Sequence, residues 1–120
     1  MAAILLVEDT PANRALAGKL LRAAGHEVLV AETAAAGIGL ARERLPDLVL
    51  MDLGLPDMDG WLALREIRAD ERAKGLRVVA FTAHAMVGDR ERALAAGFDG
   101  YLSKPIDFAT FADSVSALLP

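Results

Sequence analysis

Hydrophobic residues gather in five short runs along the chain, and these runs predict the strands of a sheet. The runs are Ile4–Val7, Val28–Ala31, Leu48–Met51, Val78–Phe81 and Tyr101–Leu102. The first, third and fourth runs are continuously apolar, a pattern typical of parallel strands that are buried on both faces. Helical segments separate the runs, so the pattern predicts five β–α repeats.

The segments between the runs carry the periodicity and the end signals of helices. Apolar side chains recur at helical spacing at Ala34, Ile38, Ala41 and Leu45, and again at Phe108, Phe111, Ala112, Val115 and Leu118. Thr10 before Pro11 predicts an N-cap followed by a proline at the first helical position. Gly25 and Gly97 predict helix C-termini. Alternating strands and helices imply a doubly wound α/β fold, with helices on both faces of a parallel sheet.

Polar residues follow four of the five predicted strands at the points where the strands end. They are Glu8 and Asp9, then Asp52, then Thr82, then Ser103-Lys104-Pro105. The carboxyl ends of parallel strands meet at one edge of a sheet, where doubly wound folds bind their ligands. Taken singly, each of these residues also has an ordinary interpretation as a helix cap, a strand residue or a surface lysine. Together they predict a site.

The residue types at this edge predict a particular chemistry. Clustered carboxylates raise one another's pKa unless a cation lies among them. Oxygen ligands without histidine or cysteine favour a hard ion such as Mg²⁺. A carboxylate is also a nucleophile towards phosphorus, and a metal ion and Lys104 would supply positive charge to the transferred group. The set is therefore suited to accepting a phosphoryl group.

Length and composition exclude several other classes of protein. The 120 residues suffice for one domain, predicted to span residues 1–120. A net charge of -4 gives no attraction to nucleic acid or to an anionic membrane, and there is no cysteine for thiol chemistry. No signal peptide or membrane-spanning run is recognisable. Arginines such as Arg68 alternate with glutamates and predict solvated helix faces. We expect a soluble, cytoplasmic domain that is a monomer or a weak dimer.

Five segments together resemble the receiver domains of bacterial two-component response regulators, and the resemblance covers the whole chain. The segments are Leu5-Leu6-Val7-Glu8-Asp9, Asp47-Leu48-Val49-Leu50-Met51-Asp52, Leu55-Pro56-Asp57-Met58-Asp59-Gly60, Thr82-Ala83-His84-Ala85-Met86 and Tyr101-Leu102-Ser103-Lys104-Pro105. The fourth segment, with Gly88-Asp89, is also similar to single-domain regulators of the cell-fate type and to the receiver modules of hybrid histidine kinases. With this resemblance we expect a flavodoxin-like (βα)5 fold with strand order 2-1-3-4-5.

The resemblance implies a role for each acidic residue of the predicted site. Asp52 would be the phosphoacceptor. Asp9 and Asp52 would bind Mg²⁺ directly, Glu8 would act through a water, and the backbone carbonyl of Gly54 would be a further ligand. The chain would then be a signalling switch and not a turnover enzyme.

The resemblance also implies how the signal would leave the site. Thr82 and Lys104 would contact the phosphoryl group, and the peptide bond before Pro105 would be cis. Phosphorylation would draw Thr82 towards Asp52 and let Tyr101 move inward, which would remodel the surface of helix 4, strand 5 and helix 5. The partners would be a histidine kinase or a histidine phosphotransfer protein, together with downstream signalling proteins.

Two other functions are compatible with parts of the pattern. A phosphatase that turns over through an aspartyl phosphate would resemble haloacid-dehalogenase-like enzymes, which carry a second aspartate two positions after the nucleophile. Here that position is Gly54. An adaptor that keeps only the fold is the other alternative, but such degenerate receivers typically lose an acid or the lysine. His84 could approach the mouth of the site or could be a solvent-facing loop histidine. Gly54 also has an ordinary interpretation, since glycine lets the loop expose its carbonyl without strain.

Overall fold

The computed structural model describes residues 2–83 and 88–120, and within them strands and helices alternate throughout. The strands are β1 (Ala3–Val7), β2 (Glu27–Ala31), β3 (Leu48–Met51), β4 (Val78–Thr82) and β5 (Gly100–Ser103). The helices are α1 (Pro11–Ala23), α2 (Ala34–Arg44), α3 (Gly60–Ala69), α4 (Asp89–Ala96) and α5 (Phe111–Ser116). Each predicted strand is present, with bounds that differ by no more than one residue at an end.

The strands form one parallel sheet in the order β2-β1-β3-β4-β5. This order confirms the prediction of a doubly wound, flavodoxin-like α/β fold. The chain reverses its direction of travel across the sheet after β2, so β1 and β3 are neighbours at the centre. A crevice forms at the carboxyl ends of strands where such a reversal occurs.

Two separate hydrophobic cores cover the two faces of the sheet, because successive strand residues point to opposite sides. On one face Leu5, Val7 and Met51 belong to a cluster that also contains buried residues of α2, α3 and α4. On the other face Ile4, Leu6 and neighbouring strand residues belong to a cluster with buried residues of α1 and α5. Burial on both faces is the reason that the central strands are continuously apolar.

Three local predictions need correction. Phe108 does not lie on the buried face of α5, because it precedes the helix and is 71% exposed. The carboxylate of Asp107 accepts a hydrogen bond from the Ala109 N–H at 2.9 Å, and the resulting turn delays the start of the helix. Leu45 is also exposed, since α2 ends before Pro46 with Leu45 in a left-handed conformation. Thr10 occupies the N-cap position of α1 as predicted, but its side chain makes no capping hydrogen bond.

Other helix ends agree with the sequence. Gly25 and Gly97 follow α1 and α4 with φ values of 94° and 112°, which glycine adopts without strain. Across the described ranges, 2–83 and 88–120, there is no helix with the length and apolar character needed to cross a membrane.

Candidate phosphoacceptor site

The acidic residues of the site lie one or two positions beyond the ends of the two central strands. The N–H of Asp52 donates to the carbonyl of Val7 at 3.1 Å, and the N–H of Glu8 donates to the carbonyl of Ala31 at 2.9 Å. The pattern of backbone hydrogen bonds between strands therefore continues past β1 and β3. It fixes where the Glu8 and Asp52 side chains leave the sheet.

The predicted acidic residues do come together. Glu8, Asp9 and Asp52 each offer a carboxylate oxygen, and these oxygens all lie within 4.8 Å of one another. Glu8 is fully buried, Asp52 is buried and Asp9 is half-buried. Such close carboxylates repel one another, so the cluster requires positive charge.

Lys104 supplies part of that charge from β5's end of the sheet. Its Nζ lies 2.5 Å from Oε1 of Glu8 and 3.1 Å from Oδ2 of Asp52. The backbone N–H of Lys104 donates to the carbonyl of Thr82 at 2.8 Å. The side-chain ammonium lies 5.1 Å from the centre of the Phe81 ring. The Lys104–Pro105 peptide bond is cis, as the resemblance implies.

The charges of this group do not balance, so a further cation would stabilise it. Burial raises the pKa of Glu8, and the hydrogen bond from Lys104 only partly offsets that effect. Burial also works to lower the pKa of Lys104, but its bonds to Glu8 and Asp52 prevail, so the pKa is raised and the ammonium stays charged. Three carboxylates and one ammonium leave a formal charge of -2. An oxygen-only cluster with that charge fits a divalent hard ion such as Mg²⁺.

Gly54 lies in the loop that follows Asp52 and leaves one side of the site open. Its N–H donates to Oδ1 of Asp52 at 2.9 Å. A cavity of about 510 Å³ adjoins this loop. Its described lining consists of Leu53, Gly54, Trp61, Thr82, Asp89, Arg92 and Ala96. Trp61 packs edge-on against Phe98 with ring centres 5.5 Å apart, so its ring is part of the wall.

The predicted switch residues lie on the β4 and β5 side of the site. Thr82 is the buried last residue of β4 and is in register with Ser103. Tyr101 is half-buried in β5, and its pKa is raised first by burial and then by the negative charge of Asp89. His84, the other residue considered for this region, lies outside the described residues.

Two residues that sequence reasoning did not single out also contact the site loops. The Arg14 guanidinium donates to the carbonyl of Glu8 at 3.0 Å and pairs with Glu32 at 2.8 Å. The carboxylate of Asp57 accepts hydrogen bonds from the N–H groups of Ala34 and Ala35. In the sequence, the local signal for this role is that an aspartate in a loop can accept hydrogen bonds from backbone N–H groups.

The chain is similar to known proteins in sequence and in structure. Residues 4–116 match the model of the response regulator receiver domain family. The polar-differentiation response regulator DivK of Brucella ovis is 36% identical over 116 residues, which are 97% of this chain and 94% of that protein.

Among solved structures, the receiver domain of a sensor histidine kinase from Pseudomonas aeruginosa PAO1 is 38% identical with a TM-score of 0.84, covering 98% of this chain and 93% of that one. That structure has a magnesium ion coordinated in its active site cleft. A CheY-like receiver domain from Methanospirillum hungatei JF-1 is 27% identical with a TM-score of 0.86, over 98% of this chain and 92% of that one.

The fold, the acidic pocket and these matches define a class of protein. This chain belongs to the response regulator receiver domain family. It is a receiver domain of a two-component system, a signalling switch and not an enzyme, and its acidic pocket suits phosphorylation of an aspartate with Mg²⁺.

Proposed function

We propose that Asp52 is the residue that accepts the phosphoryl group. The observation that supports this choice is the position of its carboxylate, which lies 3.1 Å from the Lys104 ammonium and within the acidic cluster of Glu8 and Asp9. Asp52 is therefore the carboxylate that has both a cation beside it and room for a metal ion. Lys104 also contacts Glu8, but Glu8 is fully buried, and an incoming donor could not reach it.

The metal ligands in this proposal are Asp9 and Asp52 directly, the backbone carbonyl of Gly54, and Glu8 through a water. The donor set is all oxygen and carries excess negative charge, which is the preference of Mg²⁺. Bound Mg²⁺ would neutralise negative charge on the transferred phosphoryl oxygens.

The transfer itself makes one bond to phosphorus and breaks another. An oxygen of Asp52 forms a bond to phosphorus while the bond from phosphorus to the donor's leaving group breaks, and the leaving group keeps the electron pair. The donor is a phosphohistidine of a histidine kinase or of a histidine phosphotransfer protein. The Lys104 ammonium and the Thr82 hydroxyl both donate hydrogen bonds to the phosphoryl oxygens, so negative charge that develops there is stabilised.

The signal then passes to the surface formed by α4, β5 and α5. Attraction of Thr82 to the phosphoryl group pulls the end of β4 towards Asp52, and Tyr101 moves inward beside it. Downstream signalling proteins recognise the changed surface. We further propose that the chain acts in the cytoplasm as a monomer or a weak dimer, as one domain over residues 1–120.

Phosphorylation in vitro tests this proposal against its two alternatives. The protein is incubated with acetyl phosphate and Mg²⁺, and its intact mass is measured together with the release of inorganic phosphate. We expect one added phosphoryl group on the wild type and none on Asp52→Asn or in excess chelator. Rapid continuous release of phosphate would indicate a phosphatase, and no adduct on the wild type would indicate an adaptor that is not phosphorylated.

A further inference from the structure

We propose that Asp57 is a positioning residue for the metal site, and that it acts by tying the loop after Asp52 to the start of α2. The inference rests on the proposed function, because it assigns the Gly54 carbonyl to the metal. Asp57 does not touch the reacting atoms. Its effect on them passes through the backbone of the loop, residues 53–59, which also contains Gly54.

The tie consists of two hydrogen bonds between distant parts of the chain. Oδ1 of Asp57 accepts from the Ala34 N–H at 2.9 Å, and Oδ2 accepts from the Ala35 N–H at 3.0 Å. These N–H groups belong to the first turn of α2, which has no helical carbonyls to pair with them. Both bonds, Ala34's first, hold the pKa of Asp57 below its usual range. The carboxylate therefore stays charged at neutral pH and faces the positive end of the helix dipole.

The short link between Asp57 and Gly54 is suited to transmit this restraint. It consists of Leu55, which is buried in the core, and Pro56, whose ring fixes one backbone dihedral angle. On the other side of Gly54, its N–H is bonded to Oδ1 of Asp52. The carbonyl of Gly54 thus lies between two anchored points, and loss of the Asp57 anchor would free one of them.

A second metal loop is tied to the same part of the molecule. Arg14 holds the carbonyl of Glu8 at 3.0 Å and bonds to Glu32, which directly precedes Thr33, the N-cap of α2. Residues 32–35 therefore anchor the loop that contains Asp9 as well as the loop that contains Gly54. Glu32 is 71% exposed at its side chain, so its ion pair is weak. Of the two ties, the one through Asp57 should matter more.

The test is Mg²⁺ binding without any phosphodonor, measured by calorimetry and by the fluorescence of Trp61. We expect Asp57→Ala to weaken Mg²⁺ binding roughly tenfold, since partners that orient a metal ligand have effects of that order. Asp59→Ala is the matched control. It removes the same charge from the same loop, together with one bond to the Leu62 N–H at the start of α3, but it leaves the tie to α2 in place.

Two outcomes would overturn the inference. One is equal Mg²⁺ affinity in Asp57→Ala and the wild type. The other is an equal loss in Asp57→Ala and Asp59→Ala, which would mean that charge alone matters. If Asp57→Ala does not fold, Asp57→Asn takes its place, because it keeps one oxygen acceptor and should show a smaller loss.

Phosphorylation of the same proteins separates this inference from the proposed function. With acetyl phosphate, Asp57→Ala should need more Mg²⁺ for half-maximal rate but should reach the wild-type rate at saturation. A lower rate at saturating Mg²⁺ would show that Asp57 does more than position a ligand, and would contradict the inference. A wild type that is never phosphorylated would contradict the proposed function instead, whatever Asp57→Ala does to Mg²⁺ binding.

Discussion

Helices α2 and α4 pack on the same face of the sheet and both begin near the site, but their first turns are held differently. Three N–H groups at the start of α2 are bonded to side-chain oxygens, one to Thr33 and two to Asp57. Helix α4 begins after Gly88, whose φ is 90°, and has no side-chain cap among the described residues. Its other end is tied, because Arg68 of α3 donates to the carbonyl of Gly97 at 2.8 Å.

This contrast indicates that the two sides of the domain have different roles. The α2 side is bonded to the loops that contain the proposed metal ligands, so it can hold the geometry of the site. The α4 side is anchored at its C-terminal end, and at its start the charge of Asp89 acts on the half-buried Tyr101 of β5. A phosphoryl group at Asp52 would then shift the start of α4 more readily than that of α2, which fits the switch that we propose.

The largest expected effect comes from Lys104, which reaches from the β5 side to both central acids. Lys104→Ala should slow phosphorylation by acetyl phosphate about 100-fold or more, as expected for loss of a positive partner to the transferred group. The initial rate at saturating Mg²⁺ measures it. Lys74→Ala is the control, because Lys74 pairs with Glu71 on the surface at 3.0 Å. If Lys104→Ala reacts as fast as the control, Lys104 has no role in the transfer.

The next effect tests how closely α2 is fixed to the sheet. An added Cβ at Gly37 would lie 2.6 Å from Cγ2 of the buried Val7, so Gly37→Ala should destabilise the fold by about 1–3 kcal/mol. Gly39 is the control in the same helix, since nothing lies within 4 Å of its added Cβ. Gly39→Ala should stabilise by about 0.5–1 kcal/mol. Urea unfolding measures both, and a neutral Gly37→Ala would mean that α2 adjusts easily.

The smallest expected effect concerns the cavity beside Gly54, which lies between the α2 side and the α4 side. Gly54 borders the cavity towards α4, and an added Cβ would meet only Oδ1 of Asp52, at an ordinary 3.8 Å. Gly54→Met should therefore fold normally and shield the phosphoryl group from water. We expect a few-fold longer lifetime, or roughly 1 kcal/mol in the barrier to hydrolysis.

Decay of phosphorylated Asp52 in Mg²⁺ gives this lifetime directly, and His84→Ala is measured beside it because His84 lies two positions beyond Thr82 in the sequence. Equal decay in the wild type and Gly54→Met would mean that Gly54 matters only for the conformation of the loop backbone. Faster decay in Gly54→Met would contradict the argument that a side chain at position 54 keeps water away from phosphorus.

Much of the fold could be predicted because the sheet is buried on both faces, which leaves uninterrupted apolar runs in the sequence. The acids of the site could be predicted because they directly follow those runs. Asp57 could not be assigned its partners, since its bonds to Ala34 and Ala35 span 23 and 22 residues. Arg68 is similar: its charged surroundings predict a solvated side chain, but it bonds to Asp99 at 2.9 Å across 31 residues.

The most direct test of the account is to identify the phosphorylated residue chemically. Borohydride reduces an acyl phosphate to an alcohol but leaves free carboxylates unchanged, so a phosphorylated aspartate becomes homoserine. After reaction with acetyl phosphate and Mg²⁺, reduction and peptide sequencing by mass spectrometry, we predict homoserine at position 52 and aspartate at position 9. Homoserine at another position, or a phosphorylated protein that yields none, would contradict the assignment of Asp52 as the acceptor.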